Sequence, residues 1–216
     1  MKIDMSVDLG KFKLKNPVMT ASGTFGYGYE YNQLYDISRL GAVVVKGIAP
    51  FVSNGNPTPR GAETASGMLN AIGLQGPGID KFLHDEHYMP FLRTTGATVI
   101  VNIWGKSIAD YCEVARRMDE DREGITALEV NISCPNVKAG GVAFGTDTKL
   151  LNEVISAVRK STTLPLIVKL SPNTPFLSPF LLILIIQTKN ILQFFLTALN
   201  CVVHAFPRFT RTFANF

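Results

Sequence analysis

Four short runs of one design constrain this chain more than any other feature. Gly41-Ala42-Val43-Val44-Val45 ends at Lys46, and Thr98-Val99-Ile100-Val101 ends at Asn102. Ala127-Leu128-Glu129-Val130 ends at Asn131, and Leu164-Pro165-Leu166-Ile167-Val168 ends at Lys169. Each run is β-branched and mostly apolar, as strands buried on both faces of a parallel sheet must be. Each stops at a polar residue. An earlier run, Pro17-Val18-Met19-Thr20, leads into Ala21-Ser22-Gly23 in the same way.

Helical patterns lie between the runs. Tyr29 to Leu40 precedes Gly41, and Ile79 to Glu86 follows the Gly76-Pro77-Gly78 turn. Ser107 to Asp119 opens on a serine cap with Asp110 three residues on, a capping-box pattern. Thr148 to Lys160 sets Leu150, Leu151, Val154, Ile155 and Val158 at helical spacing. Strands alternating with helices predict an α/β fold with a parallel sheet. Polar residues closing successive strands suit the catalytic face of a TIM (β/α)8 barrel. A doubly wound sheet also places ligands at strand C-termini. Its phosphate loop follows the first strand, but here Ser22-Gly23-Thr24-Phe25-Gly26-Tyr27-Gly28 has the wrong order for GxGxxG and reads as a turn at a ligand edge.

Two further stretches are candidates for function. Asn131 to Gly145 holds Cys134 between Ser133 and Pro135, with amides at Asn131 and Asn136 and a hinge at Gly140-Gly141. A cysteine just past a strand, with polar partners and a flexible cover, suits chemistry. The competing reading is a buried structural thiol beside a turn. The link from Lys46 to Thr98 exceeds one crossover and contains Asn54 to Arg60 and Met68 to Leu74. Inserted loops of that length are usually functional. Asn70, near Gly73, is a candidate to present its amide to a small polar ligand; a surface excursion is the other reading.

Composition narrows the class. All 17 acids and 18 of the 21 Lys and Arg residues fall in 1–175, so that body is near neutral and nothing marks a nucleic-acid surface. Cys112, Cys134 and Cys201 are odd in number and lack metal or disulfide spacing, which fits a reducing cytoplasm and gives this chain no iron–sulfur cluster of its own. The N-terminus has no apolar signal segment. His84 and His87 in HDEH read as a solvated helix end rather than a metal site, and Cys112 reads as core. Trp104 reads as packing under a loop, and Asp119 to Glu123 as a solvated loop. The Lys11 to Lys15 alternation suits a short strand closing one barrel end.

With these residues assembled, the chain resembles the catalytic subunit of a class 1B dihydroorotate dehydrogenase. The resemblance is carried by NPVMTASGTFGYG (16–28), VVVKG (43–47), GNPTPR (55–60), MLNAIGLQGPG (68–78), VNIWG (101–105), LEVNISCPNVKAGGVAFG (128–145) and VKLSPN (168–173). NISCPNVK followed by GG and FG favours class 1B over class 1A. The resemblance implies a flavin enzyme on a TIM barrel, in which dihydroorotate loses a proton from C5 to Cys134 and a hydride from C6 to FMN. It implies that Lys46 places positive charge by the flavin and substrate, and that Ser22, Lys46, Gly47, Asn102, Asn131 and Lys169 touch FMN. It implies that Lys46, Asn70, Ala71, Ile72, Gly73, Leu74 and Asn131 hold the pyrimidine. It further implies a homodimer joined to an electron-transfer subunit with FAD and a [2Fe-2S] cluster, a heterotetramer that passes electrons to NAD in the cytoplasm.

The resemblance ends near residue 175. Residues 176–216 have no glycine and no acid and hold eight of the 14 phenylalanines. They read as a frame change or a foreign end appended to an incomplete barrel of about five βα units, where a full one has ~250 residues. Residues 1–175 are therefore expected to be the N-terminal part of an FMN-binding barrel that binds FMN weakly or not at all and folds poorly alone. A membrane role for the tail is disfavoured, because Phe176 to Ile186 is shorter than the ~20 residues of a span. Other readings are a dihydropyrimidine dehydrogenase-like reductase, a Schiff-base lyase using Lys46 or Lys169, and an inactive remnant or membrane-tethered binding module.

Overall fold

The computed structural model describes residues 3–132 and 147–170. A small antiparallel hairpin comes first, with β1 at Val7–Asp8 and β2 at Lys13–Leu14. Four parallel strands then pair in chain order: β3 (Val43–Ile48), β6 (Val99–Ile103), β7 (Ile125–Asn131) and β8 (Leu166–Lys169). The Pro17 to Thr20 run joins beside β3 through a single parallel bridge, Met19 to Ala42. Sequential parallel order is the pairing of a barrel wall and not that of a doubly wound sheet, whose order reverses.

Why these runs are strands follows from where their side chains go. Side chains alternate across a strand. Val43, Val45, Val99, Val101, Leu128, Val130, Leu166 and Val168 pack outward against the helices. Val44, Ile100, Ala127 and Ile167 turn to the other face and pack with Ala42, Leu9 and Leu14. Leu9 and Leu14 belong to the β1–β2 hairpin, so the lysine-alternating segment does close the N-terminal end of the inner face. Both faces are dry, which is why the runs read as continuously apolar.

The crossover helices bury one stripe each. α4 (Ile108–Glu120) buries Tyr111, Val114, Ala115 and Met118, and α5 (Thr148–Ser161) buries Leu151, Val154, Ile155 and Val158. Both stripes have the same i, i+3, i+4, i+7 spacing, and each fully buried aliphatic side chain contributes about 1.5–3 kcal/mol. The capping box at α4 forms in full: Asp110 N–H donates to Ser107 Oγ, and Ser107 N–H donates to Asp110 Oδ2 at 3.0 Å.

Three readings need correction. The helix expected over Tyr29 to Leu40 is only α1 (Tyr29–Asn32), followed by a 3-10 turn at Ile37–Arg39. Side chains compete with the helix there: Asn32 Oδ1 accepts from Ile37 N–H and Asp36 Oδ1 from Ser38 N–H. The long link holds more than the helix expected over Ile79 to Glu86. It contains an exposed hairpin, β4 (Gly61–Thr64) and β5 (Gly67–Asn70), then α2 (Gly78–His84) and α3 (Met89–Thr95). The α3 helix carried an unread signal, a proline in its first turn and a left-handed glycine, Gly96, after its end. Finally, Cys112 is only partly buried, at the margin of the core.

Candidate functional site

Two residues beyond the inner apolar layer, the same face of the sheet becomes polar. Val44, Ile100, Ala127 and Ile167 are followed at that spacing by Lys46, Asn102, Glu129 and Lys169. A period of two puts this second set directly above the first. The wall therefore carries a plugged apolar floor with a ring of polar side chains over it, at the carboxyl ends of the strands. Lys46 is not the end of its strand, as its run suggested; β3 continues through Gly47 to Ile48, with a register shift after Val45.

Asn102 and Glu129 are paired across β6 and β7 and are each about 1% exposed. Asn102 Nδ2 donates to Glu129 Oε1 at 2.5 Å. Asn102 Oδ1 is buried and accepts from no group among the described residues. Lys169 Nζ donates to Ser22 Oγ at 3.1 Å. Burial pushes the Glu129 carboxyl up from the ordinary glutamate range, while the Lys169 ammonium and hydrogen bonds from Asn102 and Ser22 pull it back. Sequence reasoning passed over Glu129 because it sits inside an apolar run. The available signal was that an acid amid Leu128 and Val130 must face something other than the helices.

Ser22 is held by its own loop. Thr20 Oγ1 donates to Val44 O at 3.1 Å and accepts from Val44 N–H at 2.8 Å, tying the preceding residues to β3. Further along, Lys46 N–H donates to Gly26 O at 2.8 Å, so the glycine-rich turn lies across the strand ends. Asn131 stands beside Lys169 in the β7–β8 register, and its carbonyl accepts from the buried Tyr111 hydroxyl at 2.7 Å. Gly47 is closely packed: a Cβ there would lie 2.7 Å from Asn102 Oδ1 and 2.8 Å from Trp104 Cδ1. Trp104 Nε1 donates to Gly47 O at 3.3 Å, and the ring meets Phe51 edge-on.

The structure thus brings Ser22, Lys46, Gly47, Asn102, Asn131 and Lys169 to one rim. Asn70 ends β5, paired with Gly61, and Ala71, Ile72, Gly73 and Leu74 follow in the segment that leaves the β4–β5 hairpin. Asn56 anchors that segment by donating from its backbone to Ile72 O and from its side chain to Ala71 O. Its far end returns to the rim, where a Cβ on Gly76 would lie 3.2 Å from Gly47 O. Cys134 and its loop lie outside the described residues, as does the tail from Ser171 on. His87 Nδ1 meets Asp85, and no group of three or more potential ligands among the described residues is placed to hold a metal. No helix among the described residues is long and apolar enough to cross a membrane.

Sequentially paired parallel strands, helices on the outer face and a polar rim over a plugged floor define a partial TIM-barrel enzyme scaffold. The family model described as dihydroorotate dehydrogenase matches residues 5–204, and the chain belongs to that family. It is 53% identical over 178 residues to the dihydroorotate dehydrogenase B (NAD(+)) catalytic subunit of Alkaliphilus metalliredigens, covering 82% of this chain and 58% of that protein. It is 55% identical over 172 residues to the same-named subunit of Geotalea uraniireducens, covering 80% and 55%. The chain therefore spans little more than half the length of these relatives. The fold also matches the crystal structure of DHODH from Eimeria tenella in complex with ferulenol, with a TM-score of 0.63 at 22% identity, over 79% of this chain and 53% of that one.

Proposed function

We propose that this chain is the strand-end half of a flavin-dependent catalytic subunit that oxidises dihydroorotate to orotate in pyrimidine biosynthesis. The observation that carries the reading is the polar rim on a chain more than half identical to B-type catalytic subunits. The donor set suits FMN. A half-buried lysine beside a buried serine offers positive charge and a hydroxyl to ring carbonyls, and a buried Asn102 oxygen with no partner among the described residues offers an acceptor to a ring N–H. Ser22, Lys46, Gly47, Asn102, Asn131 and Lys169 hold FMN in this reading. When bound, FMN supplies the acceptor for the substrate's hydride.

The chain's own residues do the rest. Lys46 brings positive charge to the anionic substrate, and Asn131 with the segment Asn70 to Leu74 holds the pyrimidine. Cys134 takes the proton from C5. A thiol titrates near ~8.5, so a modest lowering makes it a base near neutrality. Electrons leave to NAD through a partner subunit carrying FAD and a [2Fe-2S] cluster, in an assembly built on a catalytic homodimer in the cytoplasm. The test is anaerobic mixing of FMN-loaded protein with dihydroorotate while flavin absorbance is followed. Bleaching by dihydroorotate but not dihydrouracil, slowed about 100-fold or more by Cys134→Ser, is the expected result. Bleaching that Cys134→Ser leaves at the wild-type rate removes the thiol from its role, and no bleaching by dihydroorotate removes the reading.

A further inference from the structure

An ionised carboxylate has no proton to give and only accepts. The amide that faces Glu129 must therefore present its NH2 group, and Asn102 does, at 2.5 Å. That contact decides the other end of the same amide. Asn102 Oδ1 is left buried and unpartnered among the described residues, an arrangement that is costly unless a ligand donor meets it. A buried acceptor that the described residues leave unmatched is a specificity element.

We propose that Glu129 is a positioning residue: by accepting the Asn102 N–H it turns the Asn102 carbonyl oxygen to the site as a fixed acceptor, and so makes the site choose a ring carrying an N–H at that point. The inference rests on the flavin reading above and names a determinant of that site. The groups facing Glu129 are Asn102 from β6, Lys169 from β8 and Ser22 from the loop before α1; Lys46 stands in the same polar layer on β3. Lys169 donates to Ser22, and both favour the ionised carboxylate. A neutral Glu129 gains an O–H that can donate to Asn102 Oδ1, which releases the lock. Glutamine at 129 does the same: its oxygen is drawn to Lys169 and Ser22, its NH2 faces Asn102, and the Asn102 amide turns over.

The test compares FMN with FMN methylated on its imide nitrogen, by fluorescence titration of the full chain. Wild type should prefer FMN by about tenfold or more, and Glu129→Gln should reduce the preference to roughly twofold. The wild-type preference should also shrink as pH is lowered, whereas that of Glu129→Gln stays flat, which decides the matter on wild type even if the variant does not fold. A variant with the full wild-type preference, or a wild-type preference that does not change with pH, overturns the proposal. A wild type that binds neither flavin, as the incomplete barrel leads one to expect, counts against the flavin reading for this chain and leaves the lock to a second measurement. The Asn102 side-chain amide resonance then still decides the lock, because it must move with pH in wild type; a resonance that does not move overturns it.

Discussion

Replacing Gly47 by alanine sets two opposed effects against each other. Alanine stiffens the unfolded chain, which alone stabilises by about 0.4–1 kcal/mol. In the folded chain its Cβ would stand 2.7 Å from Asn102 Oδ1 and 2.8 Å from Trp104 Cδ1. Neither neighbour is free to give way. Asn102 is held by Glu129, and Trp104 is 3% exposed, bonded to the Gly47 carbonyl and packed on Phe51. Overpacking of this kind costs about 1–3 kcal/mol, and losing the indole hydrogen bond adds about 0.5–1.5 kcal/mol. The clash wins, with net destabilisation of roughly 0.5–4 kcal/mol and a fall in Tm of roughly 1–16 °C. Trp104 is the only tryptophan in the chain, so its emission reports both the transition and the local packing during urea unfolding. Gly23→Ala is the control, because a Cβ there meets nothing within 4 Å. Gly47→Ala as stable as wild type, with unchanged Trp104 emission, would refute the packing argument.

Other expectations follow from the same contacts. Tyr111→Phe removes the donor to the Asn131 carbonyl and should cost about 1–2 kcal/mol in urea unfolding with little change in slope. Ser107→Ala opens the capping box of α4 and should cost about 1 kcal/mol, read as a lower Tm. Glu129 is pushed up by burial, so the folded chain holds its proton longer than the unfolded one. Its contribution is complete below roughly pH 4.3, the unfolded value, and is lost as pH rises through the higher folded value. Stability of Glu129→Gln measured across that window should lack this decline; an identical pH slope in both proteins would count against the burial assignment.

Much of this protein is legible without coordinates. The β-branched runs, the 3.6-residue stripes of α4 and α5, the serine cap and the lysine-alternating strand each depend on neighbours within a few residues, and each forms, although β3 runs past Lys46 to Ile48, β6 past Asn102 to Ile103, and the lysine-alternating strand is one arm of a hairpin. The break after Asn32 was less legible, because side-chain competition with a helix depends on geometry that a pattern of apolar residues does not carry. The rim residues Ser22, Lys46, Asn102, Asn131 and Lys169 were visible because each interrupts or ends an apolar run. What only the tertiary structure decided is how those residues meet. Parallel pairing fixes register between segments dozens of residues apart, and register sets Asn102 opposite Glu129 and Asn131 opposite Lys169. An acid inside an apolar run has no meaning until the strand beside it is known. Strand pairing turns Glu129 from an anomaly of composition into the partner of a buried amide, because a hydrogen bond is a relation between chain segments and not a property of either one.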